Sequence, residues 1–279
     1  MPLFNTRAIE DFPIGNILLR DHHAALTGEG LAAGSRGHFR THPHAWLTAE
    51  DVALLTSEVT TLVDDRSTPL AWFGDVPNVS KSVVAKTSFL IVHPWDLLRA
   101  NEQYVGTLSE KKIEGDIHPN AVIEGTIHLG PGSRILPGVF IEGNVVIGAN
   151  CKIGPNCYIR GSTSIGDKCH VGNAVEIKNS ILLSGTNVGH LSYVGDSVLG
   201  EKVNFGAGTV TSNLRHDGKN HRTEVDGSLV DTGRRKFGCI VGDGVHTGIN
   251  TSIYPGRKLW AGTSTRPGEV VQRDITGNA

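Results

Sequence analysis

From Ile117 onward every sixth residue is aliphatic: Ile117, Ile123, Leu129, Ile135, Ile141, Ile147, Ile153, Ile159, Ile165, Val171, Ile177 and Leu183. A helix of 3.6 residues per turn cannot keep such a row on one side, and a flat strand would repeat it every second residue. Small or β-branched residues stand two places earlier: Ala121, Ile127, Ser133, Val139, Val145, Cys151, Cys157, Thr163, Cys169, Val175 and Ile181. Glycine follows the aliphatic at Gly130, Gly148, Gly154, Gly166 and Gly172. This is the hexapeptide repeat of a parallel β-helix. Each hexapeptide supplies one short strand and a turn, three close a triangular coil of about 18 residues, and stacked coils bury one continuous column.

The composition agrees. Glycine takes 35 of 279 positions and aromatics only 6%, as expected for many tight turns around a core of small aliphatics. After a slip the register continues through Val188, Val194, Leu199, Phe205 and Thr211, and it resumes at Val241, Thr247, Ile253 and Leu259. Between them, residues 214–236 are polar, basic and rich in turn formers, which predicts a long structureless loop thrown out from one corner. Cys151, Cys157, Cys169 and Cys239 all occupy the small slot, where a free thiol packs as a small hydrophobe.

Residues 1–110 are aperiodic and read as a small mixed α/β segment ahead of the β-helix at 111–279. Thr48 and Asp51 suit the start of a helix running to about Val59. Ser88–His93 reads as a buried strand, and 94–102 as a helix with Pro94 in its first turn. His22, His23, His38, His42 and His44 fall here without Cys or acid at ligand spacing, so packing or surface roles are favoured over a metal. The whole segment is expected to pack on or cap the first coil, whose strand edges are otherwise open.

Lys and Arg number 26 against 28 for Asp and Glu, so the basic surface of a nucleic-acid binder is missing. No apolar run reaches membrane-spanning length, and the first residues, MPLFNTRAIEDF, lack an apolar signal region. A cytoplasmic chain bound to neither membrane nor nucleic acid is expected.

Three stretches are not demanded by the repeat: Val171-Gly-Asn-Ala-Val-Glu-Ile-Lys178, Val188-Gly-His-Leu-Ser-Tyr-Val-Gly-Asp196 and Val203-Asn-Phe-Gly-Ala-Gly-Thr-Val-Thr-Ser-Asn213. With Thr232-Gly-Arg-Arg-Lys-Phe-Gly238 and the coil at 241–252, they resemble the acetyltransferase half of bifunctional sugar-1-phosphate nucleotidyltransferase/glucosamine-1-phosphate acetyltransferases. The resemblance covers residues 113–265 and is nearest to archaeal members. It implies a left-handed parallel β-helix, a homotrimer with sites between subunits, acetyl-CoA as co-substrate, and an amino sugar phosphate or related sugar-nucleotide precursor as acceptor. No metal is expected for acetyl transfer. It also implies roles: His190 as general base, Asn213 orienting it or the acceptor, Arg160 and Lys178 on the sugar phosphate, Glu176, Tyr193 and Asn204 on the amino sugar, and Ala207 along the CoA chain. Two departures stand out. Ile249 occupies the CoA-side position where bacterial members carry a Ser facing the thioester, and Asn179 one where they commonly carry Lys.

The residues support this chemistry on their own terms. His190 stands where the aliphatic phase breaks, and a titratable ring there suits proton removal from an attacking amine. Gly206 and Gly208, flanking Ala207, offer backbone amides for a developing oxyanion. Arg and Lys both suit phosphate, and the basic side chains of the 214–236 loop suit the phosphates of CoA. Plain readings coexist: a solvated face for Arg160, Glu176 and Lys178, turn residues for the glycines, a zinc pair in His216 and His221. Segments 5–20 and 93–101 resemble flanking pieces of a nucleotidyltransferase domain, but its Gly-rich phosphate loop and half its length are missing. The alternatives to an acetyltransferase are a non-catalytic trimeric β-helix scaffold of sugar-nucleotide metabolism and a sugar-1-phosphate nucleotidyltransferase homologue.

Overall fold

The computed structural model describes residues 1–29 and 38–277. His22, His23, His38, His42 and His44 lie within them. The repeat forms a parallel β-solenoid of three sheets with six, eight and eight strands. The first sheet runs from Asp116–Ile117 to Asn204–Phe205, the second from Val122–Glu124 to Val270–Val271, and the third from Lys112–Ile113 to Arg257–Leu259. Register is strict: Ile123 pairs with Ile141, Ile141 with Ile159 and Ile159 with Ile177, so one aliphatic column lines each sheet. That column is solvent-free from Ile127 to Val271 and includes all four cysteines, which are free.

The slip is placed differently from the six-residue count. Ile165 pairs with Leu182, not Leu183, so seventeen residues separate that pair where eighteen separate Ile147 and Ile165. Leu182 pairs with Leu199, again seventeen residues on. Both shortened steps fall at the corner between the second and third sheets, at Lys178–Ser180 and Gly195–Ser197. Asn179 and Asp196 turn that corner with φ of 46° and 49°, a left-handed conformation that Asn and Asp tolerate better than most residues.

The 214–236 insertion leaves from the same corner and is not structureless. It carries an antiparallel hairpin, Arg222–Val225 with Ser228–Asp231, and its ends are joined by a bridge between Leu214 and Lys236. Buried Thr223 donates to the Gly256 carbonyl, and buried Lys258 donates to the Thr223 hydroxyl and the Glu224 carbonyl. These bonds press the hairpin onto the solenoid.

Contacts divide the chain into two units. One comprises 1–6, 14–16 and 93–279; the other comprises 7–13 and 17–92. In the first, helix Asp96–Gly106 lies along the flank of the third sheet. Asn101 donates to the Ser162 carbonyl and accepts from Ser164. Asn144 donates to the carbonyls of Val105 and Leu108, capping the helix end. The helix starts two residues after Pro94 and outlasts the predicted end by one turn. Outward slots of the third sheet are apolar and buried at Val146, Ile181, Val198 and Ile240, which explains why this face is covered.

The second unit has a four-stranded sheet (Phe39–Thr41, Pro69–Phe73, Thr61–Val63, Ser82–Val84), helix Leu19–Glu29, and a strand pair of Ala45–Trp46 with Phe89–Leu90. The helix after Thr48 is only Ala49–Val52, because Thr56 turns back to receive the amides of Glu58 and Val59. His22 packs edge-on against Trp46, and His23 bonds the Ala45 carbonyl. Among the described residues no group of three or more His, Cys, Asp or Glu is placed to hold a metal. Nor, among the described residues, is any helix long and apolar enough to cross a membrane.

Candidate active site

The second sheet presents two outward rows, because side chains along a strand alternate between the column and solvent. Tyr158, Glu176, Tyr193 and Val210 form one row, and Glu142, Arg160, Lys178 and Gly195 the other. Five expected site residues lie on or beside this face: Arg160, Glu176, Lys178, Tyr193 and, at its far edge, Asn213. An open groove of about 520 Å³ runs across it, lined among others by Phe140, Tyr158, Glu176, Leu191, Tyr193 and Val210.

Both cations on the face are paired. Arg160 Nε donates to Glu176 Oε1 at 2.9 Å, Nη2 lies 2.8 Å from the same oxygen in an ion pair, and the guanidinium lies 5.3 Å from the Tyr158 ring centre. The hydrogen bond to Glu176 raises the Arg160 pKa further. Lys178 Nζ donates to Asp196 Oδ2 at 3.0 Å, and the Asp196 side chain is only 3% exposed. Asp196 also accepts from Asn179 Nδ2 at 2.9 Å and from Asn213 Nδ2 at 2.6 Å. Asn213 reaches Tyr193 Oη as well, at 3.0 Å. Burial, with the charges of Asp196 and Glu176, raises the Tyr193 pKa, so the phenol stays protonated. Gly195 makes this packing possible: a β-carbon there would stand 2.4 Å from Tyr193 Oη and 2.7 Å from Asn213 Nδ2.

His190 ends the first-sheet strand Asn187–His190, at the corner where the first sheet turns into the second, on the side of the second sheet away from Asn213. Asn173 pairs with it on the coil before. On the following coils the Gly208 amide donates to the His190 carbonyl and the Asn250 amide to the Ala207 carbonyl, so Asn173, His190, Ala207 and Ile249 succeed one another along one edge. The imidazole is exposed and makes no hydrogen bond among the described residues. Nearby His170 is held below the ordinary imidazole pKa by burial, then by Lys152 and His190.

Several expectations are revised. Asn213 does not orient His190 within one chain; it is bound to Tyr193 and Asp196 at the other edge. Asn204 lies on the first sheet, beside Asn187 and His246, away from Glu176 and Tyr193. The Gly206 and Gly208 amides are already engaged, by Thr247 and by the His190 carbonyl; only the Ala207 N–H has no partner among the described residues. In the loop, His221 is buried against the Asn213 carbonyl and Phe237. Lys219, Arg222, Arg235 and Lys236 are exposed. Sequence reasoning missed the roles of Asp196 and Glu102, and singled out Asn179 only as a departure from bacterial relatives. The available signal was the pair of five-residue steps, which locate Asn179 and Asp196 at one corner.

The family model described as the GMPPB C-terminal domain matches residues 141–256. A bifunctional sugar-1-phosphate nucleotidylyltransferase/acetyltransferase of Sulfurisphaera tokodaii is 42% identical over 182 residues, covering 65% of this chain and 45% of that protein. The bifunctional protein GlmU of Methanococcus maripaludis is 51% identical over 189 residues, covering 68% of this chain and 46% of that protein. The repeat domain of this chain is homologous to the hexapeptide-repeat acetyltransferase domain in the C-terminal region of these bifunctional proteins. This acetyltransferase-like chain spans a little under half the length of those relatives. Among solved structures, PerB from Caulobacter crescentus in complex with CoA and GDP-perosamine is 19% identical with a TM-score of 0.23, covering 57% of this chain and 50% of that one.

Proposed function

We propose that the chain is an acetyl-CoA-dependent N-acetyltransferase acting on an amino sugar phosphate or a related sugar-nucleotide precursor. The observation that carries this reading is the second sheet: a face of paired Arg, Glu, Lys and Tyr beside a groove, bounded at one edge by a histidine with an unbonded, exposed ring. The Sulfurisphaera tokodaii relative, described as a nucleotidylyltransferase/acetyltransferase, supports the reaction class.

In this mechanism His190 takes the proton from the acceptor ammonium as the amine attacks the thioester carbonyl. The Ala207 N–H, and no longer its glycine neighbours, is the backbone donor available to the tetrahedral oxyanion. The intermediate collapses with cleavage of the C–S bond, the amide forms, and the CoA thiolate is protonated as it leaves. Arg160 and Lys178 hold the acceptor phosphate and Tyr193 the sugar. Ile249 lies on the next coil above Ala207, where it offers apolar contact to the CoA arm and no hydroxyl to the thioester.

His190 and Asn204 lie on the first sheet, and Asn213 lies beyond the far edge of the second, so one copy does not gather the whole residue set. A homotrimer with the site between protomers would gather it. Exposed Leu191, Val210 and Ile249 along the His190 side are the apolar surface such an assembly would cover. Four free thiols fit a reducing, cytoplasmic setting.

The test is acetyl transfer to a panel of amino sugars and their 1-phosphates, read by thiol release. Transfer to at least one acceptor is expected. Intact CoA binding with no transfer to any would leave a scaffold role instead. A stable monomer that transfers acetyl groups, seen by sedimentation, would remove the between-protomer site.

A further inference from the structure

Helix Asp96–Gly106 precedes the hexapeptide repeat, yet one of its side chains reaches the acceptor face. Arg234, at the returning end of the hairpin insertion, donates from both terminal nitrogens to the two carboxylate oxygens of Glu102. Glu102 Oε1 also accepts from Asn179 Nδ2 at 2.6 Å, and the same amide group donates to Asp196 Oδ1 at 2.9 Å. Asn179 therefore spans two carboxylates. Asp196 in turn holds Lys178 Nζ and Asn213 Nδ2. The chain of bonds runs Arg234, Glu102, Asn179, Asp196, then Lys178 and Asn213, and its two acids balance its two cations.

Both roots of the insertion enter this network. Asn213 stands at the departing end, where its carbonyl also receives the His221 ring and the Phe237 amide. Arg234 stands at the returning end, with its side chain only 15% exposed. A bidentate Arg–carboxylate pair in such a setting is directional as well as attractive. Glu102 is thus the point at which helix, insertion and sheet corner are tied together.

We propose that Glu102 is a positioning residue for the acceptor face. It does not touch substrate. It holds the insertion against the sheet and, through Asn179 and Asp196, sets where the Lys178 ammonium and the Asn213 amide point. The proposal rests on the acetyltransferase reading for its kinetic consequence, but its structural consequence stands apart.

The variant Glu102→Gln keeps the shape and removes the charge. With the full chain, the KM for the acceptor should rise about tenfold, the scale of one charge-assisted hydrogen bond, while kcat changes less than about twofold and the Kd for CoA is unmoved. Asn179→Ala should do the same. The double variant should cost no more than Glu102→Gln alone, because both act on one path. Amide hydrogen exchange across 213–238 should speed up in Glu102→Gln, and exchange in 140–160 should not. An unchanged acceptor KM, additive single variants, or unaltered exchange across 213–238 would overturn the proposal. If wild-type protein acetylates no acceptor, the acetyltransferase reading fails by itself, and the exchange experiment still decides whether Glu102 holds the insertion.

Discussion

Asp196→Asn tests whether the proposed acceptor face is organised by a buried charge. The carboxylate is 3% exposed and receives three donors: the Lys178 ammonium at 3.0 Å, the Asn179 amide at 2.9 Å and the Asn213 amide at 2.6 Å. An Asn of the same shape keeps one oxygen and turns an NH2 toward donors that cannot accept from it. One charge-assisted bond is lost, at about 1.5–3 kcal/mol. The Lys178 ammonium, itself 16% exposed, also keeps its charge without a counterion; removing one partner of such a pair costs about 3–5 kcal/mol when both are buried. Partial exposure of the lysine argues for the lower end, about 3 kcal/mol. For a unit of this size that corresponds to a fall in Tm of about 6–12 °C. The assay is thermal and urea unfolding at neutral pH of wild type, Asp196→Asn, Lys178→Met and the double variant. The double variant should be more stable than Asp196→Asn alone, since the orphaned charge is gone. A loss below about 1 kcal/mol in the single variant, or strictly additive losses in the double, would refute the reasoning.

His190→Ala should lower acetyl transfer by about 10²–10⁴-fold with CoA binding and unfolding midpoint nearly unchanged, because its exposed ring fills no part of the column; calorimetric titration with CoA and thiol-release rates check this. Gly195→Ala should part Tyr193 from Asn213, whose atoms lie 2.4 and 2.7 Å from the added methyl, and raise the acceptor KM while CoA affinity holds; an unaltered KM would count against the Tyr193–Asn213 contact as part of the acceptor face. Burial acts to raise the Asp51 pKa, but the backbone amides of Lys86, Ser88 and Thr87 and the Ser88 hydroxyl outweigh it and hold the carboxyl at about 2. Its folded pKa is depressed, so the stability it contributes is present above pH about 4 and lost as pH falls toward 2; Asp51→Asn should flatten that acid limb of the unfolding curve.

The inward half of this protein was legible in its residues. The aliphatic row and its small-residue companion are set by spacing inside each hexapeptide, and a coil that buries one row must present it to the next coil in register. That argument yielded the parallel solenoid, the core and the burial of all four cysteines with no knowledge of partners. It failed by one residue at Leu183, because a row of aliphatics continues on paper through Leu182-Leu183 and only strand pairing chooses Leu182. Apolar outward slots at Val146, Ile181, Val198 and Ile240 carry the signal of a covered third sheet in the same spacing.

The outward half was decided by the tertiary structure. Lys178 looked like a free cation for phosphate until the coil seventeen residues on placed Asp196 against it. Asn213 could have faced either edge of its sheet; the insertion that follows it turns it toward Tyr193 and Asp196, away from His190. Glu102 lies 77 residues before Asn179 and 132 before Arg234, with no periodicity linking them. Burial of a repeat is a local property, so the chain carries it in plain view. Polar pairing between a helix, a sheet corner and an inserted hairpin depends on where each element lands, and that is settled only when the coils have stacked.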